Sequence, residues 1–266
     1  MKNAWMKTMV VAVAISVLSP LAFAQSAQGQ KPAAAPAPKH DLTGVWAGPG
    51  IAKLNAVPPM TAWGQAQFNA SKPFSGPRLV PAGDSNDPMI MCDPLGFPRN
   101  VLWETRGVAF VQTPAVVVEL FQYEHTFRMI WTDGRALPKN AGGDAIDAPD
   151  SRYYGYAIGH WDGDTTFVAD TVGIDENPWL DQLGHPQSSE MKVQERFTRA
   201  AHDTLNITVN IDDPKAYTKP FEAGRITYEL QPKQAELPEQ LCIPTQAALY
   251  RSTIATPAAP TTSSKK

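Results

Sequence analysis

The sequence is short of cysteine, of net charge and of long hydrophobic runs, and each shortage removes a class of function. Cys92 and Cys242 are the only thiols in 266 residues. Two cysteines so far apart are too sparse for a structural zinc site. In an oxidising compartment they form a disulfide candidate, with two separately buried thiols as the alternative. The formal net charge is −3 with both signs interspersed, so no basic stripe is available for nucleic acid. Beyond the N-terminus no apolar run approaches the length of a bilayer span, and membrane insertion is not expected. No Gly-x-Ser-x-Gly elbow, phosphate-cradling loop or dinucleotide fingerprint is present, which argues against a serine nucleophile and a nicotinamide or flavin cofactor.

What is present begins with a targeting segment. Lys2 and Lys7 precede an apolar stretch from Met9 to Leu21, and Ala22-Phe23-Ala24 fits a small-x-small cleavage site. Residues 1–24 therefore read as a secretory signal peptide, and the mature chain as periplasmic or secreted. Residues 25–40 are an Ala/Pro-rich linker, and 252–266 a tail of similar character. The folded part is expected at 41–251, as one domain.

The 25 prolines and 18 glycines fall between short apolar runs, which favours turns and strands over long helices. Thr61 is a candidate N-cap for one short helix over AWGQAQFNAS. Residues 71–100 are rich in Pro, Gly and Asp and read as a long capping loop. From Gly107 onwards, runs rich in β-branched and aromatic residues alternate with turn signals. About eight to ten strands in an antiparallel meander are best closed into a single barrel, which removes exposed edges, with a two-sheet sandwich as runner-up. The fold class is all-β.

Period-two alternation assigns faces. Glu195 falls among Met191, Val193 and Phe197, so it is expected inside. Asp170 shares a face with Val168 and Val172, His160 with Tyr154, Tyr156 and Ile158, and Arg128 with Ile130. Buried charges need partners, so four such groups imply either an ion-pair network or a polar cavity. Asp162-Gly163-Asp164-Thr165 reads as a two-residue hairpin turn rather than a metal site, and no metal is expected. Trp131, Tyr154, Tyr156 and Trp179, with His185, are candidate ligand-binding residues, their rings suiting a phenolic, terpenoid or sugar-like molecule.

Several motifs point the same way. Asp133-Gly134-Arg135 with Pro138, the run from Gly155 to Thr165, Asp170 to Gly173, Trp179 to Asp181, and Ile211 to Pro220 together resemble a family of secreted bacterial β-rich proteins. The resemblance covers most of 41–245 and implies a fold and a compartment, without an activity. Gly44-x-Trp46 more weakly resembles the opening of lipocalin-like barrels. The leading functional expectation is a cofactor-independent lyase, isomerase or hydrolase acting on a small molecule inside the barrel. In it Glu195, Asp170 and His160 carry acid–base roles and Arg128 stabilises negative charge. The alternative is a non-catalytic carrier for a small organic ligand, and a third reading is an envelope scaffold tethered through its Pro-rich ends.

Overall fold

A computed structural model describes residues 35–50, 55–103, 105–143, 145–233 and 235–255. The expected signal peptide, most of the linker and most of the tail lie outside these residues. The described chain forms a closed barrel of nine strands in sequential order: β1 Gly44–Gly50, β2 Thr105–Gln112, β3 Val116–Phe121, β4 Phe127–Trp131, β5 Tyr156–Asp162, β6 Thr166–Val172, β7 Lys192–Ala201, β8 Thr204–Asp212 and β9 Phe221–Leu230. Three helices accompany it: α1 Ala62–Ala70, α2 Arg99–Leu102 and α3 Pro244–Tyr250.

The barrel and the antiparallel meander agree with the sequence reading except at one seam. In a ring where every neighbour runs antiparallel, strand directions must alternate, and an odd number cannot close. Nine strands therefore require a parallel neighbour, which is found at β4–β5. A parallel pair needs a long return connection, and the segment between Trp131 and Tyr156 supplies it. The seam is thinly paired, at Ile130–Ala157 and Trp131–Ile158. By contrast β7 and β8 pair along nearly their whole length.

The interior is packed with side chains. Trp46, Phe110, Phe167 and Phe197 are fully buried, Phe110 and Phe197 meeting edge to face with centroids 5.6 Å apart. Each such phenylalanine contributes about 1.5–3 kcal/mol through burial. One barrel end is closed by Arg199. Its guanidinium lies 5.0 Å from the Trp46 ring and donates to the Asp41 and His202 carbonyls. The other end is closed by the segment around α2, which lowers Phe97 onto the barrel mouth. The expected capping loop is thus present.

The cap is fastened by polar contacts. Asp87 receives two hydrogen bonds from Arg99, at 2.8 and 2.6 Å, with both side chains sealed from solvent. Thr61 caps α1 by accepting from the Gly64 amide, as expected. Gly64 is required there because a Cβ would lie 2.2 Å from the Ala216 carbonyl oxygen. Cys92 and Cys242 form a disulfide, joining the cap to the C-terminal segment across 150 residues.

Closing so long a loop limits the unfolded chain by about 5 kcal/mol on the loop-entropy account. We expect Cys92→Ser/Cys242→Ser to lower the free energy of unfolding by about 2–5 kcal/mol. Limited proteolysis should then cut first between residues 71 and 103. An unchanged urea midpoint would contradict this.

Candidate functional site

Two of the four expected inward charges do meet inside the barrel, joined by a third that the sequence reading missed. Arg128 of β4 donates through Nε to Glu119 Oε2 at 2.6 Å and through Nη2 to Glu195 Oε2. All three side chains are buried, Glu119 and Glu195 at 0% exposure. Phe97 lies over the guanidinium at 4.1 Å and Tyr228 is buried in the same interior. The Glu119–Arg128–Glu195 group is a buried ion-pair network, the first of the two alternatives. Arg128 is committed to both carboxylates beneath a phenyl ring, while its Nη1 is buried without a hydrogen-bond partner among the described residues.

Two carboxylates around one guanidinium would leave a net negative charge in an apolar interior, so a proton is favoured on the network. Burial pushes the Glu195 carboxyl up to about 7, against the pull of Arg128 and with the push of Glu119. Glu119 is raised too, first by burial. At neutral pH the network therefore tends towards two acids, one proton and one cation, with charges balanced.

His160 and Asp170 depart from the expected faces. His160 is exposed, and Asp170, on the outer wall, accepts from exposed Gln194 at 2.9 Å. The inner face of β5 is Ala157 and Gly159, because Phe167 and Ile130 fill the space opposite. A Cβ at Gly159 would lie 2.3 Å from Phe167 Cζ. Tyr156 and His160 take the opposite face, while Trp161 at the end of the strand packs on Phe167. The hairpin also turns over three residues, Gly163 to Thr165, not two, and Asp170 pairs with Ile158. Asp162 and Asp164 are engaged with Arg196 and Lys39, at 2.6 and 2.8 Å.

The outward aromatics converge on the seam. A cavity of about 640 Å³ is lined by Trp131, Tyr153, Tyr154 and Tyr156 and by the connection around Arg135 and Arg152. Three of the expected binding residues, Trp131, Tyr154 and Tyr156, are thus brought together. Arg135 lies 3.5 Å over Trp131 and Arg152 lies 4.0 Å over Tyr156. Arg135 is paired with Asp133 at 2.6 Å, whereas no carboxylate of the described residues pairs with Arg152. Tyr154 donates to Thr126 at 2.9 Å and Tyr156 to the Asp150 carbonyl at 2.9 Å. Burial drives the Tyr154 phenol up to about 12, so it stays neutral.

Trp179 and His185 belong elsewhere, on the β6–β7 connection at the cap end. His185 Nδ1 and Asp181 Oδ2 are 2.5 Å apart, and Asp181 also accepts from the Leu183 and His185 amides. The His185 ring stacks on Phe68 of α1 at 4.9 Å. This pair fixes a turn and docks it on α1. Comparison with family models, curated proteins and solved structures returns no match for the chain. Among the described residues no helix is long and apolar enough to cross a membrane.

Loss of Arg128 should be severe, because it strands buried carboxylates. Arg128→Met is expected to cost about 3–5 kcal/mol. The sign of the pH effect follows from Glu195. Its folded carboxyl holds a proton up to about pH 7, its unfolded one only to about 4.5. The stabilisation is complete below 4.5 and is lost as pH rises through 7. Glu124, raised to about 7 by burial and by Asp93, adds the same sign. The melting temperature should therefore fall from pH 5 to pH 8, and Glu195→Gln should flatten that fall. A variant slope equal to the wild-type slope would refute the protonated network.

Proposed function

We propose that the protein is a binding or carrier protein for a small, flat, anionic organic molecule, taken up in the seam cavity rather than inside the barrel. The observation that carries this is the pairing of an aromatic-lined cavity with guanidinium groups laid on its rings. Trp131 and Tyr156 offer faces for an arene or similar flat apolar body. Arg152, without a carboxylate of its own, offers charge-assisted hydrogen bonds to a carboxylate. The cavity volume falls in the range of small-molecule sites.

Binding is placed ahead of acid–base catalysis because of where the ionisable groups lie. Glu195 and Arg128 are committed to each other in a packed interior, while His160 and Asp170 are on the outer wall. A general acid or base must come within hydrogen-bond reach of the substrate's proton. The disulfide supports a periplasmic or secreted location, since such bonds persist in oxidising compartments.

Titration with 2-naphthoate should quench tryptophan fluorescence saturably, and 2-naphthamide should bind about tenfold or more weakly for want of the charge. Arg152→Ala should bring the carboxylate down to the affinity of the amide. Equal affinities for the acid and the amide, or quenching that never saturates, would exclude the proposal.

A further inference from the structure

A second cavity at the cap end has a different chemistry. It is a cleft of about 310 Å³ between α1 and the 176–187 stretch of the β6–β7 connection. Trp63 and Trp179 supply indole rings, and Gln67, Asn86, Asn177 and Gln187 supply amides. Gln67, Asn86 and Asn177 are exposed at the rim, while Gln187 is 1% exposed. Gln187 Nε2 donates to the Asp175 carbonyl at 2.7 Å, which fixes the amide orientation. Its Oε1 is left buried without a partner. Oε1 is itself sealed from solvent, so Gln187 braces the cleft wall, and the amides open to a ligand are those at the rim.

The cleft walls are held firmly. Asp181 pins the turn from Leu183 to His185, as described above. Gly184, at φ +84°, lets that turn approach α1 so closely that a Cβ would lie 2.2 Å from Ser71 Oγ. Ser71 Oγ in turn donates to the Gly184 carbonyl at 3.0 Å. Among the described residues the only carboxylate lining the cleft is Glu176, which is paired with Lys215 at 3.6 Å.

We infer that this cleft binds a neutral saccharide, one sugar unit at a time. A pyranose presents C–H groups on its faces, which suit an indole, and a ring of hydroxyls that donate to and accept from amides. Uncharged amides around aromatic rings favour such a ligand over an anion or a cation. The volume lies at the small end of ligand sites, which fits a single unit or the terminal unit of a chain. The site is independent of the seam cavity, which gathers guanidinium groups and no amide side chains.

The test is saturation-transfer NMR on the mature chain with glucose, galactose, N-acetylglucosamine and cellobiose as probes. At least one sugar should give saturable transfer. Trp179→Ala, which removes an indole face from the cleft, should weaken binding about tenfold or more. Gln67→Ala should weaken it severalfold, and this variant lies on the exposed face of α1, so its fold is not at risk. Binding of 2-naphthoate should be unchanged in Gln67→Ala. No saturable transfer from any of the four sugars would overturn the inference. So would binding that Gln67→Ala and Trp179→Ala both leave unaltered.

Discussion

A ring of strands with antiparallel neighbours throughout must contain an even number, and this ring contains nine. That parity constraint shapes the molecule more than any single contact. It forces one parallel seam, and the seam requires a long connection between β4 and β5. Two paired positions hold the seam, far fewer than join β5 to β6 or β7 to β8. The connection that returns the chain also brings Arg135 and Arg152 onto the rings of β4 and β5. Cavity, lining and charge at this place thus share one topological cause.

The interior obeys a different constraint. A barrel of this size has room for side chains or for one small ligand, and here Trp46 and the phenylalanines take the room. Charges in such a place survive only as a closed set. Arg128 reaches both Glu119 and Glu195, Phe97 covers it, and a proton near pH 7 completes the neutrality. The network also ties β3, β4 and β7 across the barrel, joining strands that are not all neighbours in the wall. Its position beneath the cap explains why the segment around α2 carries its own sealed pair, Asp87 with Arg99. Both layers of the closure are ionic pairs shielded from water, where an unpaired charge would be costly.

Much of this was legible in residue order. The strands, the barrel, the short helix after Thr61, the capping loop and the cysteine pair follow from periodicity and punctuation. Glu195 could be placed inside because Lys192, Gln194 and Arg196 mark the opposite face as wet. Glu119 could not, since Val116, Val117, Val118, Leu120 and Phe121 surround it and a run apolar on both faces has no alternation to read. His160 was misplaced for the complementary reason. On β5 the inner face is small at Ala157 and Gly159, which receive Phe167, while Tyr156 and His160 take the other face, so bulk no longer marks the inside there. The parallel seam escaped because strand signals carry no direction, and Asp181 with His185 because a turn held by one carboxylate leaves no periodic trace.

The arginines separate what holds the fold from what can meet a ligand. Arg99 and Arg128 are sealed and doubly bonded to carboxylates, and Arg199 is spent on Asp41 and His202. Each has oxygen partners within the chain, with Arg99 Nε and Arg128 Nη1 left buried and unpaired among the described residues. Arg152 is exposed, rests on Tyr156 and has no such carboxylate partner among the described residues. A guanidinium over an aromatic face gains about 0.5–1 kcal/mol at an exposed site, enough to set its position but too little to satisfy it. Held in place with its donors still open, it is prepared for an external anion at little further entropic cost.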